Sequence, residues 1–512
     1  MSLLEVNNLS FRYDNNDLLL DANVRLFLGD HAVLVGPNGT GKTTLMNLLN
    51  RNLSPDKGSI TWLPNIKVGY LDQYAKIDKN ITVGDYLLTV FKPLFDKEAE
   101  MEKLYQDVGI LEGIEMERAL NNAAAIGDML IEKDFYAIKS KLGNIIHGLG
   151  LEMSILDSPI KHLSGGMRAK IILGKLLLDE SDILLLDEPT NFLDIKHIEW
   201  LTKFLQGYPK AFLVVSHDEA FLKAIADTVI AVENKGLTRY KGNFDYYLSE
   251  REIRFQMTEK AFVAQQKYIQ KQETFIQKNI VRASTTKQAQ SVRTKLEKIE
   301  KIGKPVKQKE LKFHFPFAKD TGRDVLVIEN LEIGYTKALL KPINYIVRKN
   351  EKVIITGKNG VGKSTLVKTV LGLTKPISGQ FKWIDTANIS YFEQDFAFNQ
   401  ERTASELCFE ELKDMDHKKV YTLLARFGIS REMSDRTLSS LSGGQKTKVR
   451  LALMSQRKSN VIILDEPTNH LDQVAKEALR KAILEFPGVA IVVSHDKSFH
   501  DDLGAAELEL KG

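Results

Sequence analysis

The sequence predicts an α/β fold in which two tandem P-loop domains are joined by a long α-helical hairpin. Three observations predict it. One ordered set of short motifs occurs twice in the 512 residues, short apolar runs lead into several of those motifs in each copy, and a stretch without Gly or Pro runs from Asn243 to Ile302.

Length and composition set the frame. A chain of 512 residues exceeds what one hydrophobic core organises, and 43% hydrophobic with 27% charged residues is a globular balance, so two or three domains are expected. No apolar run approaches the ~18–20 residues a membrane span needs. The start MSLLEVNNLS lacks the basic and apolar regions of a secretory signal, and the lone Cys408 has no intrachain disulfide partner. Both facts fit a reducing cytoplasm, with Cys408 as a small buried residue. The charge is uneven. Residues 251–310 carry 15 Lys or Arg against 6 Asp or Glu, so this segment is at +9 and the rest of the +4 chain at −5. A local excess of that size is the footprint of something that touches phosphates.

The two copies align at fixed offsets. Gly36 and Gln73 recur 321 residues later as Gly357 and Gln394, whereas Ser164, Glu188 and His217 recur 278 residues later as Ser442, Glu466 and His495. The first copy therefore holds 43 extra residues between Gln73 and Ser164, rich in helix formers and charge. A helical insertion is expected at about 90–135, inside a first domain spanning 1–250. The linker is expected at 251–318 and the second domain at 319–512.

The pattern G-x-x-x-x-G-K-[ST] follows an apolar run, HAVLV or KVIIT, in each copy and precedes a helix-like segment. It comprises Gly36, Pro37, Asn38, Gly39, Thr40, Gly41, Lys42, Thr43 and Thr44, and again Gly357, Lys358, Asn359, Gly360, Val361, Gly362, Lys363, Ser364 and Thr365. Backbone N–H groups at such a turn, aided by the helix dipole, cradle phosphate oxygens. Lys42 and Lys363 reach the β- and γ-phosphates, and the Thr43 and Ser364 hydroxyls suit Mg²⁺, a hard cation that prefers oxygen.

The runs Ile183–Leu186 and Val461–Leu464 read as strands buried on both faces, each ending in Asp-Glu-Pro-Thr-Asn where such folds hold their ligands. Adjacent carboxylates on a strand point different ways, so Asp187 and Asp465 are assigned to the Mg²⁺ shell and Glu188 and Glu466 to the attacking water as general bases. Ser-His-Asp at 216–218 and 494–496 is no hydrolase triad, because consecutive residues at a strand end do not converge. His217 and His495 are placed instead to sense the γ-phosphate, with a satisfied core histidine as the competing reading. Tyr13 and Tyr335, ahead of their P-loops, can stack on adenine. Leu-Ser-Gly-Gly opens a helix at Ser164, Gly165 and Gly166 and again at Ser442, Gly443 and Gly444, giving a hydroxyl and N–H groups for another phosphate.

With these residues in place, the chain resembles the ATP-binding-cassette proteins along nearly its whole length, and the ABC-F subfamily in particular. The resemblance implies that two ATP molecules are sandwiched head to tail within one monomer. Lys42, Thr43, Gln73, Asp187, Glu188 and His217 would meet Ser442, and Lys363, Ser364, Gln394, Asp465, Glu466 and His495 would meet Ser164. It also implies that Gln73 and Gln394 contribute to Mg²⁺ and water. Met167 stands where the second copy has Gln445, a departure at the signature of the second site.

The linker selects the subfamily. Apolar pairs recur every seven residues at Ala261–Phe262, Tyr268–Ile269 and Phe275–Ile276, predicting a first arm of about 35 residues, roughly 50 Å long. Thr285 with Gln288 resembles a capping box, and Ala289, Val292, Leu296, Ile299 and Ile302 continue a second stripe. An antiparallel hairpin is expected, its tip near 280–286 flanked by Lys271, Lys278, Arg282, Lys287, Arg293, Lys295 and Lys298. A charge run is by itself a solvated helix face. Together with FIQKNIVRASTTKQAQS, which resembles the ABC-F linker, it implies binding at the ribosomal E site. There the hairpin would approach 23S rRNA, the P-site tRNA and the peptidyl-transferase centre, and the insertion would lie near the L1 stalk. A translation factor and an antibiotic-resistance factor both fit. The rivals are an ATPase subunit of a membrane transporter, which leaves the basic hairpin unexplained, and a DNA-repair ATPase, which would carry far longer coiled coils or zinc cysteines.

Overall fold

The computed structural model describes the chain apart from residues 1, 14–15, 38, 73–79, 280–285, 300–310, 336, 358–359, 394–398, 414, 469–470, 495–498, 500–502 and 511–512. In the first half, β1 (Ser2–Tyr13), β2 (Asn16–Phe27) and β4 (Lys57–Trp62) form an antiparallel sheet in the order β2-β1-β4. A second sheet is built from β3 (His31–Val35), β5 (Val68–Tyr70), β6 (Ile183–Asp187), β7 (Ala211–Val215), β8 (Thr228–Glu233) and β9 (Gly236–Lys241), in the order β5-β6-β7-β3-β8-β9. All its pairings are parallel except β8 with β9.

The strand period explains why the apolar runs are unbroken. Successive residues point to opposite faces, and both faces are covered. Leu184, Leu186, Phe212 and Val214 pack with Leu142, Ile146, Ile171 and Leu173 of the helices on one side. Ile183, Leu185, Leu213 and Val215 pack with Leu45, Met46 and Leu49 of the P-loop helix and with the antiparallel sheet on the other. Truncating a fully buried leucine such as Leu184 to Ala is expected to cost about 2–5 kcal/mol.

The second half repeats this plan. Strands β10 (Asp324–Glu332), β11 (Ile343–Arg348) and β13 (Ser378–Trp383) make the antiparallel sheet, ordered β11-β10-β13. Strands β12 (Lys352–Gly357), β14 (Ile389–Phe392), β15 (Val461–Asp465), β16 (Val489–Val493) and β17 (Ala506–Leu510) make a parallel sheet, ordered β14-β15-β16-β12-β17.

Two helical hairpins break the repeat. The extra residues of the first copy fold as helices Lys92–Val108 and Gly113–Glu132, which pack on each other. Between the halves, helix Phe244–Asn279 runs for 36 residues, about 54 Å, and packs against helix Thr286–Glu297. It is rooted in the first half by buried Phe244 and Tyr247, the latter edge-on to Tyr240 at 5.1 Å. The chain re-enters the second half through Phe313, stacked on Phe427 at 4.5 Å, and Phe315 and Phe317, which contact Phe486.

Two of the three apolar pairs are covered on one member only, and the third on both. Phe262, Ile269, Phe275 and Ile276 are half-buried with Val292, Leu296 and Ile299, whereas Ala261 and Tyr268 face outward. A narrow two-helix contact covers one stripe per helix, so at the first two pairs the member one position earlier falls outside it, whereas Phe275 and Ile276, nearest the tip, are both covered. The second helix stops at Glu297. Thr285, the side chain of Ala289 and Ile302 lie outside the described residues, as does the hairpin tip at 280–285. Among the described residues, no helix is long and apolar enough to cross a membrane.

Candidate functional site

Each P-loop leaves the C-terminal end of a central strand, β3 or β12, and turns into a helix, Lys42–Leu49 or Lys363–Val370. Gly41 and Gly362 take left-handed backbones (φ 92° and 112°) at the N-caps, and no side chain caps either helix start. A side chain at either position would be strained, and the uncapped helix N–H groups are left available to an anion. The lysines turn back onto their own loops: Lys42 Nζ donates to Gly36 O at 2.9 Å and Pro37 O at 3.2 Å, and Lys363 Nζ to Gly357 O at 2.9 Å. Burial pushes both ammonium groups down, and the facing carboxylates oppose that shift.

The acids line the ends of β6 and β15. Burial pushes the Asp187 carboxyl up, opposed by a hydrogen bond from the Thr43 hydroxyl and by the charge of Lys42. Asp465 is fully buried. Glu188 and Glu466, the next residues, both have left-handed backbones (φ 51° and 48°), fixed where their N–H groups donate to Val215 O at 2.8 Å and Val493 O at 2.9 Å. A left-handed glutamate before proline is strained, and its occurrence at both sites marks a position held for its side chain. Burial raises the Glu188 carboxyl to about 8, reinforced by Asp187 and opposed by Lys42. His217 Nε2 lies 3.4 Å from Glu188 Oε1. Behind them, Thr190 and Ser216 share a buried hydroxyl hydrogen bond of 3.0 Å, matched by Thr468 and Ser494 at 3.1 Å.

The two halves face each other with their sites in opposition. One cavity of about 1100 Å³ is lined by Ser164, Gly166 and Met167 of the first half and by Gly360, Gly362, Lys363, Ser364 and Thr365 of the second, with Glu188, His217 and Glu466 on its walls. At the other site, a Cβ built on Gly39 would lie 3.7 Å from Gln445 Nε2. Ser164 accepts from Met167 N at 3.2 Å, a single cap. Ser442 makes a full capping box, accepting from Gln445 N at 3.3 Å while Gln445 Oε1 accepts from Ser442 N at 2.9 Å. Tyr13 and Tyr335 are exposed, at 62% and 74%, with their rings available for stacking.

Gln73, Gln394, His495, Asn38, Lys358 and Asn359 lie outside the described residues. Asp194 and Asp472 are functional candidates that motif reading passed over. Each caps a helix in its own half, and each acts electrostatically on the P-loop lysine of the other, Asp472 on Lys42 and Asp194 on Lys363. The signal was present, since Leu-Asp follows each Asp-Glu-Pro-Thr-Asn at the same distance.

Fold and site together define a protein with two P-loop nucleotide-binding halves clasped head to tail. The ABC transporter family model matches residues 19–191 and 340–469, and a second ABC transporter model matches 230–315. The uncharacterized ABC transporter ATP-binding protein YfmM of Bacillus subtilis is 37% identical over 98% of this chain and 97% of its own length. ABC transporter F family member 5 of Arabidopsis thaliana is 33% identical over 97% of this chain and 73% of its own. YbiT of Escherichia coli O157:H7 is 30% identical over 99% and 96%. Among solved structures, the archaeal ribosome recycling factor aABCE1, determined with the ribosomal stalk protein aP1, superposes with a TM-score of 0.60 at 20% identity, covering 99% of this chain and 87% of that one. The chain belongs to the ATP-binding-cassette family, in its F subfamily, and is an ATPase.

Proposed function

We propose that this ATPase works on the ribosome, binding in the E site and using ATP to act on the P-site tRNA and the peptidyl-transferase centre. The observation that carries this reading is the long basic hairpin set between two ATP-binding halves. Lys271, Lys278, Lys287, Lys295 and Lys298 are all exposed along it, a density suited to RNA phosphates. The packed pair Lys92–Val108 and Gly113–Glu132 is the arm that would lie near the L1 stalk. A translation factor and a ribosome-protection factor share this geometry.

In each composite site the P-loop lysine would clamp the phosphates and the signature serine of the opposite half would close over them. The Thr43 hydroxyl hydrogen-bonds Asp187, and the two would offer oxygen ligands to Mg²⁺ there; Ser364 and Asp465 would serve the second site, with Gln73 and Gln394 completing them. Bound Mg²⁺ would neutralise charge on the β- and γ-phosphates. Glu188 and Glu466 would take the proton of the attacking water, while His217 and His495 would hold the γ-phosphate. ATP binding closes the halves and hydrolysis reopens them. Changing both Glu188 and Glu466 to Gln should leave a closed, ATP-loaded protein that sediments with ribosomes. If the double variant stays free of ribosomes in saturating ATP, or co-fractionates with membranes instead, this reading fails.

A further inference from the structure

The two sites differ at one place that the shared motifs do not touch. Helix Gln473–Glu485, capped by Asp472, presents its first turn to the opposing half. Two observations locate that turn. Lys476 lines the cavity between the halves together with Glu188 and His217 of the opposing half, as well as Lys363 and Glu466 of its own, and it acts electrostatically on Glu188, as Asp472, one turn earlier, acts on Lys42. The corresponding residue of the first half is Ile198, which lines the cavity too but carries no charge.

We propose that Lys476 is a cation supplied in trans to the site built on Lys42, Thr43 and Glu188, where it stabilises the γ-phosphoryl group as it is transferred, and that the other site, with Ile198 in its place, turns over more slowly. In the step it assists, water oxygen bonds to the γ-phosphorus and loses a proton to Glu188. The bond to the β–γ bridging oxygen breaks, and its electron pair leaves with ADP. Negative charge spreads over the γ-oxygens in the transition state, so an ammonium from the opposing half acts there more than on bound ATP. A lysine suits this task because its charge is compact and its stem long. Because it comes from the other half, the cation arrives only when the halves are closed, which ties hydrolysis at this site to closure.

The proposal rests on the assignment of Glu188 and Glu466 as the two bases, and the test separates the two ideas. Steady-state ATP hydrolysis is measured on the full chain carrying Glu466→Gln, which leaves the Lys42 site, or Glu188→Gln, which leaves the other. Adding Lys476→Ile should lower kcat on the order of tenfold in the Glu466→Gln chain with KM nearly unchanged, and Lys476→Arg should restore much of it. The Glu188→Gln chain should be indifferent to both changes. An equal effect in the two chains, or none in the Glu466→Gln chain, overturns the proposal. If neither glutamine substitution slows hydrolysis, the base assignment falls. The proposal is then decided in the parent chain, where Lys476→Ile must still lower kcat without raising KM, and Lys476→Arg must rescue it.

Discussion

His217 Nε2 stands 3.4 Å from Glu188 Oε1 at the ends of the neighbouring strands β7 and β6. The contact is longer than a good hydrogen bond, and it leaves room for both groups to turn toward a third. A γ-phosphate and its attacking water would supply that third group. His217→Ala should therefore leave ATP binding within a few-fold of the parent while kcat falls by about 10²-fold, the usual scale for losing one preorganised donor. Isothermal titration and a phosphate-release assay read the two quantities separately. A matching loss of affinity would mean that the histidine holds the ground state instead.

Glu188 also makes stability depend on pH. Its carboxyl is raised to about 8 by burial, so the folded, nucleotide-free protein binds this proton more tightly than the unfolded chain, whose glutamate titrates near the ordinary 4.5. A raised pKa contributes stability that is complete below about 4.5 and is lost as pH climbs through 8. Glu188→Gln removes that loss. The variant should melt at a higher temperature than the parent at pH 8–9, by a free energy on the order of 3 kcal/mol, with the difference shrinking toward pH 5. Thermal melts without nucleotide across that range check the sign.

Met167 and Gln445 occupy equivalent places and differ in what they give the signature helices. Gln445 closes a capping box on Ser442, whereas at Ser164 the Met167 side chain returns no hydrogen bond and the cap is single. Met167→Gln should complete the second box and stabilise the start of helix Gly165–Leu178 by about 0.5–1 kcal/mol. Amide exchange at the first turn should slow accordingly, and Gln445→Met should speed it at Gly443–Met454.

How far the sequence alone reaches differs between these features. The P-loops, the strand-end acids and the signature serines were legible because each motif pairs a backbone demand with a chemical one. Left-handed Gly41 and an unbranched Lys42 must be neighbours for the loop to work. The strands were legible because unbroken apolar runs such as Ile183–Leu186 require both sheet faces to be covered. That Lys476 and Glu188 line one cavity was not, because it depends on how the two halves are set against each other, and no local pattern encodes that. The outward-facing Tyr268 belongs to the same class. A heptad names two adjacent positions, and only the partner helix decides which of them is covered.

The linker lysines give the most direct reading of the proposed partner. Lys271, Lys278, Lys287 and Lys295 are exposed and carry no carboxylate salt bridge among the described residues. If they rest on RNA phosphates, each contact releases condensed counterions, and affinity falls steeply with salt. Replacing all four with Ala should weaken ribosome binding at low salt and flatten the slope of log affinity against log salt by roughly 3 to 4. The hairpin seam is Phe262, Ile269, Phe275 and Ile276, so these exposed changes should leave helicity and ATP hydrolysis without ribosomes as in the parent. Ribosome co-sedimentation over a salt series measures the slope. An unchanged slope in the fourfold variant would place the contact elsewhere on the molecule.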